Sequence, residues 1–132
     1  METLVDKLLR EHHQLDRLCW DLYKSLTAND PHAAAVNLEE FSTLIEPHFR
    51  AEDDQLFAQI AARDPTLQEH VDAMHREHVQ LRQLIAEMAE RLRSPISEAT
   101  LFDCERLLRV LRGHAQKEEL LLFSQADTTE TR

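Results

Sequence analysis

The chain has 132 residues, with 25 Asp or Glu against 15 Lys or Arg and a formal net charge of −10. That length suits one ordinary domain with a single core. The acidic excess argues against nucleic acid or an anionic membrane surface as a partner, because both select basic faces.

The composition is 42% hydrophobic and 30% charged, with one glycine. It favours helices over strands and tight hairpins, which draw on glycine, β-branched and aromatic residues. Met1–Leu9 carries two acidic residues and runs directly into a helical pattern, unlike the basic, apolar head of a signal peptide. No apolar run approaches membrane-spanning length.

In the first predicted helix, residues 3–28, Leu8, Leu15, Leu22 and Leu26 recur at helical spacing, with His12 and Cys19 filling the gaps. Asn29-Asp30-Pro31 ends it and opens a second helix over 31–62, where Phe41, Ile45 and Leu56 line up with His48 and Glu52. Pro47 lies inside that segment and should bend it. Arg63-Asp64-Pro65 opens a third helix, 65–93, whose apolar face comprises Val71, Met74, Leu81, Ile85, Met88 and Leu92 with His78 among them. Arg93-Ser94-Pro95 opens a fourth, 95–125, where Cys104, Leu107, Leu111 and Leu122 align with His114 and Glu118. Each break sets Asp or Ser directly before Pro, the N-cap and first-turn pair of a new helix. Four amphipathic segments with short connections predict an all-α, up-down-up-down four-helix bundle over 1–126, followed by a polar tail over 127–132. Cys19 and Cys104 lack Cys-x-x-Cys spacing and read as buried structural thiols of a reducing compartment, so a cytoplasmic location is expected.

Two motifs occur twice. REHHQLDRL (Arg10–Leu18) returns as REHVQLRQL (Arg76–Leu84), with six of nine positions identical. HFRAEDDQLF (His48–Phe57) returns as HAQKEELLLF (His114–Phe123), both reading His-x-x-x-Glu-x-x-x-Leu-Phe. One shift of sixty-six residues relates His12 to His78, His48 to His114 and Glu52 to Glu118. The pattern predicts a duplicated helical hairpin, and two copies point to a closed pseudo-twofold bundle rather than a solenoid.

At ~1.5 Å of rise per residue, the chain climbs from each histidine to the next break and returns to nearly the same height. All four histidines therefore fall in one layer. Each glutamate follows its histidine by one turn on the same face. Six polar groups would converge in an otherwise apolar core, where two uncompensated carboxylates cost several kcal/mol each. A metal ion resolves that cost, since imidazole and carboxylate suit iron, manganese or zinc. Two carboxylates for four histidines suggest two metals, each ended by two histidines and bridged by Glu52 and Glu118, with positions left open for an exogenous ligand. Among the other histidines, His13 reads as an outer or surface residue, and His32 and His70 as solvated. Asp53, Asp54 and Glu119 rotate off the core face, with outer hydrogen bonding as their best functional role.

The order and spacing of His12, His48-x-x-x-Glu52, His78 and His114-x-x-x-Glu118 resemble the hemerythrin-like, or HHE cation-binding, domains. The resemblance spans essentially the whole chain. It implies a non-haem centre of two iron ions with an oxo or hydroxo bridge, zinc or manganese being possible substitutes. It also implies a small diatomic ligand, dioxygen or nitric oxide, that the protein binds or senses. Two alternatives come with it: a di-iron enzyme of oxidase, peroxidase-like or nitric-oxide-reducing type, or iron storage, delivery and iron-centre repair. A regulatory or redox role would need a separate protein partner. The chain departs from the invertebrate oxygen carriers at Met74, where they place a fifth histidine, and in its His-x-x-x-Glu on the fourth helix, which argues against reversible oxygen carriage. His75 could supply a fifth histidine only through a distorted helix.

Overall fold

The computed structural model describes residues 1–125, so the polar tail expected over 127–132 lies outside the described residues. Helix α1 spans Leu4–Thr27. The Thr3 hydroxyl accepts from the Asp6 N–H and the Asp6 carboxylate accepts from the Thr3 N–H, satisfying two of the donors that open a helix. Asn29, in the left-handed region at φ 54°, ends it. Asp30 then caps α2, Pro31–Ala51, by accepting from the Ala33 N–H with Pro31 in the first turn. The helix passes through Pro47 without ending. A π-helical turn, Glu52–Leu56, follows and leads into α3, Phe57–Arg63. Asp64 caps a 3-10 turn, Pro65–Leu67, that feeds α4, Gln68–Arg91. Helix α5 is Glu98–Glu118, continued by a second π-helical turn, Glu119–Phe123.

The fourth helical rod thus starts three residues later than the Ser94-Pro95 signal predicts. Ser97 makes the stronger cap: its hydroxyl accepts from the Thr100 N–H while the Thr100 hydroxyl accepts from the Ser97 N–H, and Thr100 is buried. Reciprocal capping outweighs a lone Ser-Pro pair.

The described residues are all helical, and four long rods enclose one core, consistent with a four-helix bundle. Helix α1 packs on α2 and α5, while α4 packs on α5 and α2. Towards one end lies a cluster of Val5, Leu8, Leu56, Phe57, Met74 and Phe123; a second gathers Leu15, Phe41, Phe49, Leu81 and Leu111; a third gathers Leu22, Leu26, Met88 and Cys104. Each buried Leu or Phe contributes roughly 1.5–3 kcal/mol. Each long rod crosses between the first and second clusters at a histidine: Leu8–His12–Leu15 in α1 and Met74–His78–Leu81 in α4 show the order. Both cysteines are free and buried. Among the described residues no helix is long and apolar enough to cross a membrane.

The two π-helical turns start at or immediately after the buried glutamates. The Phe57 N–H reaches back five residues to the Glu52 carbonyl, fitting one extra residue into the turn. Adjacent residues of an ordinary α-helix point about 100° apart, yet Leu56 and Phe57 are both buried, as are Leu122 and Phe123. The wide turns bring both members of each Leu-Phe pair onto the core.

Candidate metal centre

His12, His48, His78, His114, Glu52 and Glu118 are all buried between the two apolar clusters. Their donor atoms form two groups, each with atoms within 4.8 Å of one another: His12, His48, Glu52 and Glu118, and His78, His114, Glu52 and Glu118. The glutamates belong to both. Glu52 turns Oε2 to His12 Nε2 and His48 Nε2, at 3.5 and 3.2 Å, and Oε1 to His78 Nε2 at 3.0 Å. Glu118 turns Oε1 to His12 Nε2 at 3.0 Å, and Oε2 to His78 Nε2 and His114 Nε2 at 3.5 and 3.1 Å. Each carboxylate offers one oxygen to each pair of histidines.

The other ring nitrogen of every histidine meets a carboxylate. His12 Nδ1 lies 2.8 Å from Glu119, His48 Nδ1 2.8 Å from Glu11, His78 Nδ1 2.9 Å from Asp53, and His114 Nδ1 2.8 Å from Glu77. An ionised carboxylate only accepts, so Nδ1–H donates and the lone pair of a neutral ring is fixed on Nε2, facing the centre. Lys117 Nζ holds the second oxygen of Glu77. Phe123 stacks on His12 at 5.1 Å, and both Phe57 and Phe49 stack on His78, at 5.8 and 4.0 Å.

Charge in this layer is unbalanced by the protein alone. Burial disfavours the ionised form of Glu52, but His12, His48 and His78 outweigh it and hold the carboxyl well below its ordinary range. Burial also pushes the imidazoles down, yet the two central carboxylates carry His12 up to about 10; with Asp53 added, His78 rises to about 11. With no cation, protons would be drawn onto the rings. Yet His12, His78 and His114 Nε2 and all four oxygens of Glu52 and Glu118 are buried without an aligned hydrogen-bond partner, despite the short separations. Distance without alignment means that these lone pairs face a common interior rather than each other. Orphaned donors of this kind fit a bound cation.

The chain matches the Hemerythrin HHE cation binding domain over residues 3–126. It belongs to that family. No curated protein and no solved structure matches it. In this hemerythrin-family chain the donor set, four imidazoles and two carboxylates, is chemically suited to iron, manganese or zinc.

All six residues singled out in the sequence are brought to one place. His75 is not: its Nδ1 lies 2.8 Å from Asp53 Oδ1, at the rim of the layer, and Met74 is packed in the apolar cluster. His13, His32 and His70 are exposed, as is Asp54, whereas Asp53 and Glu119 turn back to histidines. Glu11 and Glu77 were not legible as parts of the site. Each stands directly before a histidine in its REH motif, but it serves a histidine on the neighbouring helix. The repeated Glu-His pair was the available signal.

Proposed function

We propose that the chain is a di-iron protein of the hemerythrin-like type, in which His12 and His48 end one metal, His78 and His114 the other, and Glu52 and Glu118 bridge them. The pair binds or senses a small diatomic ligand, dioxygen or nitric oxide. One observation carries the reading: each buried glutamate divides its two oxygens between two histidine pairs. A single cation would leave two oxygens and two imidazoles orphaned in the core.

When bound, the iron pair supplies an open, redox-active position for the exogenous ligand. The protein's own part is orientation and exclusion of water. Glu11, Asp53, Glu77 and Glu119 fix the ring tautomers and raise the basicity of the Nε2 donors. The phenyl rings of Phe49, Phe57 and Phe123 shield the faces of the His12 and His78 rings that they cover.

The same reading takes residues 1–126 as one up-down-up-down bundle made of two related hairpins. The sixty-six-residue offset extends to the outer groups, relating Glu11 to Glu77 and Asp53 to Glu119, and to the Leu-Phe pairs. The free, buried thiols accord with a cytoplasmic setting.

Metal analysis of anaerobically purified protein, with optical spectra before and after air and azide, tests this. About two irons per chain with new near-ultraviolet bands support it. Tightly held zinc with a silent spectrum, or no metal after reconstitution, would overturn the di-iron assignment.

A further inference from the structure

The two halves of the layer differ in how they are closed. Phe49 stacks on His78 at 4.0 Å and is buried, and Arg82 of α4 lies over the Phe49 ring at 5.1 Å while pairing with Glu46 of α2. That seam, between α2 and α4, is plugged by a phenyl ring with a guanidinium above it. Sixty-six residues on, the position of Phe49 is taken by Ala115. A pocket of about 220 Å³, half open to solvent beside the exposed His13 and Gln116, occupies the space and is lined by His12, His48, His114 and Ala115. At ~30 Å³ per water, it has room for several small molecules.

The ion pair over this second seam, between α1 and α5, is the counterpart of the first with its charges exchanged. Asp16 stands where the other seam has Arg82, and Arg112 where it has Glu46. Arg112 Nε meets Asp16 Oδ1 at 2.6 Å, and the guanidinium leans outward over Trp20 at 6.0 Å rather than inward over a plug. Both side chains line the cavity, and Arg112 also borders an outer groove with Trp20 and Tyr23. The pair therefore forms part of the rim between that outer groove and the pocket beside His12. Its members are 50% and 42% exposed, so water competes for the contact and it breaks readily.

We infer that exogenous ligands reach the layer through the α1–α5 seam, which Ala115 holds open and the Asp16–Arg112 pair narrows. The assignment of a ligand-binding metal centre above is assumed, but the asymmetry is not part of it: the six central donors are alike in both halves. The route suits diatomic and triatomic species. The passage widens when Arg112 swings away from Asp16, whereas His78 stays beneath Phe49. Access is thus set by Phe49 against Ala115, one residue after the histidine in each repeat.

Three readouts on the 132-residue chain test this. Xenon binding, followed by 129Xe NMR on metal-free and metal-loaded protein, reports the cavity without any chemistry at the centre. Stopped-flow azide association reports entry, and metal analysis reports the donors. Ala115→Phe is expected to abolish the xenon site and slow azide at least tenfold with metal content unchanged. Asp16→Asn, a substitution at the surface, is expected to speed azide entry severalfold. Unchanged azide rates in both variants, or xenon binding that survives Ala115→Phe, would overturn the route while leaving the metal centre intact. Loss of metal from the unsubstituted chain would instead count against the centre, and xenon would still decide the cavity.

Discussion

The polar layer and the apolar clusters beside it follow different rules, and the sixty-six-residue offset makes the contrast visible. In the apolar parts, some related positions keep their residue, as Val5 with Val71 and Leu15 with Leu81, while others share only hydrophobicity: Leu22 with Met88, Phe41 with Leu107, Ile45 with Leu111. In the layer they share identity for four histidines and two glutamates, and charge for the outer carboxylates. Burial of apolar area is non-directional, so any residue of suitable volume serves. Donor atoms act through fixed lone-pair directions, so there the residue type itself matters.

Substitutions at four kinds of site would break or sharpen this contrast. The largest effect is expected at the shared carboxylates: Glu118→Ala should bring metal content close to zero by elemental analysis, and full retention would sink the ligand assignment. Next comes the apolar core, where Phe41→Ala should lower stability by about 3–5 kcal/mol in chemical denaturation. The volume-conserving Leu22→Met should cost less than ~1.5 kcal/mol. Equal losses from these two would show that packing there is as specific as ligation. An intermediate effect is expected of the outer carboxylates. Glu11→Gln should weaken metal affinity roughly 10–100-fold, and Glu77→Gln should match it; a competition titration that separates the two widely would mean the halves are inequivalent electronically as well as sterically. The smallest effect belongs to the Arg91–Asp103 pair, whose guanidinium is half-exposed. Arg91→Ala should change stability by at most ~1 kcal/mol and leave metal content untouched.

Much of this arrangement is written locally and could be read from spacing. His-x-x-x-Glu puts two donors on one face, and Asp-Pro signals place two of the helix starts. The fourth rod starts later than its Ser94-Pro95 signal because Ser97 and Thr100 cap each other through side chains whose mutual orientation no dipeptide reveals. Glu11 and Glu77 escaped for a related reason: a residue one step from a histidine points about 100° away on its own helix, and its use depends on what the adjacent helix presents. The wide turns at Glu52 and Glu119 were equally hidden, since an α-helical pattern carries no mark for one extra residue. The exchange of Phe49 for Ala115 is visible once the repeats are aligned, but only packing shows that it leaves a cavity.

The seven orphaned atoms of the central layer also bear on how the protein withstands heat. A cation that binds only the folded chain adds RT ln(1 + [M]/Kd) to its stability, about 4 kcal/mol when free metal exceeds Kd a thousandfold. The melting temperature of such a chain is therefore a property shared with its surroundings, rising and falling with the free metal around it.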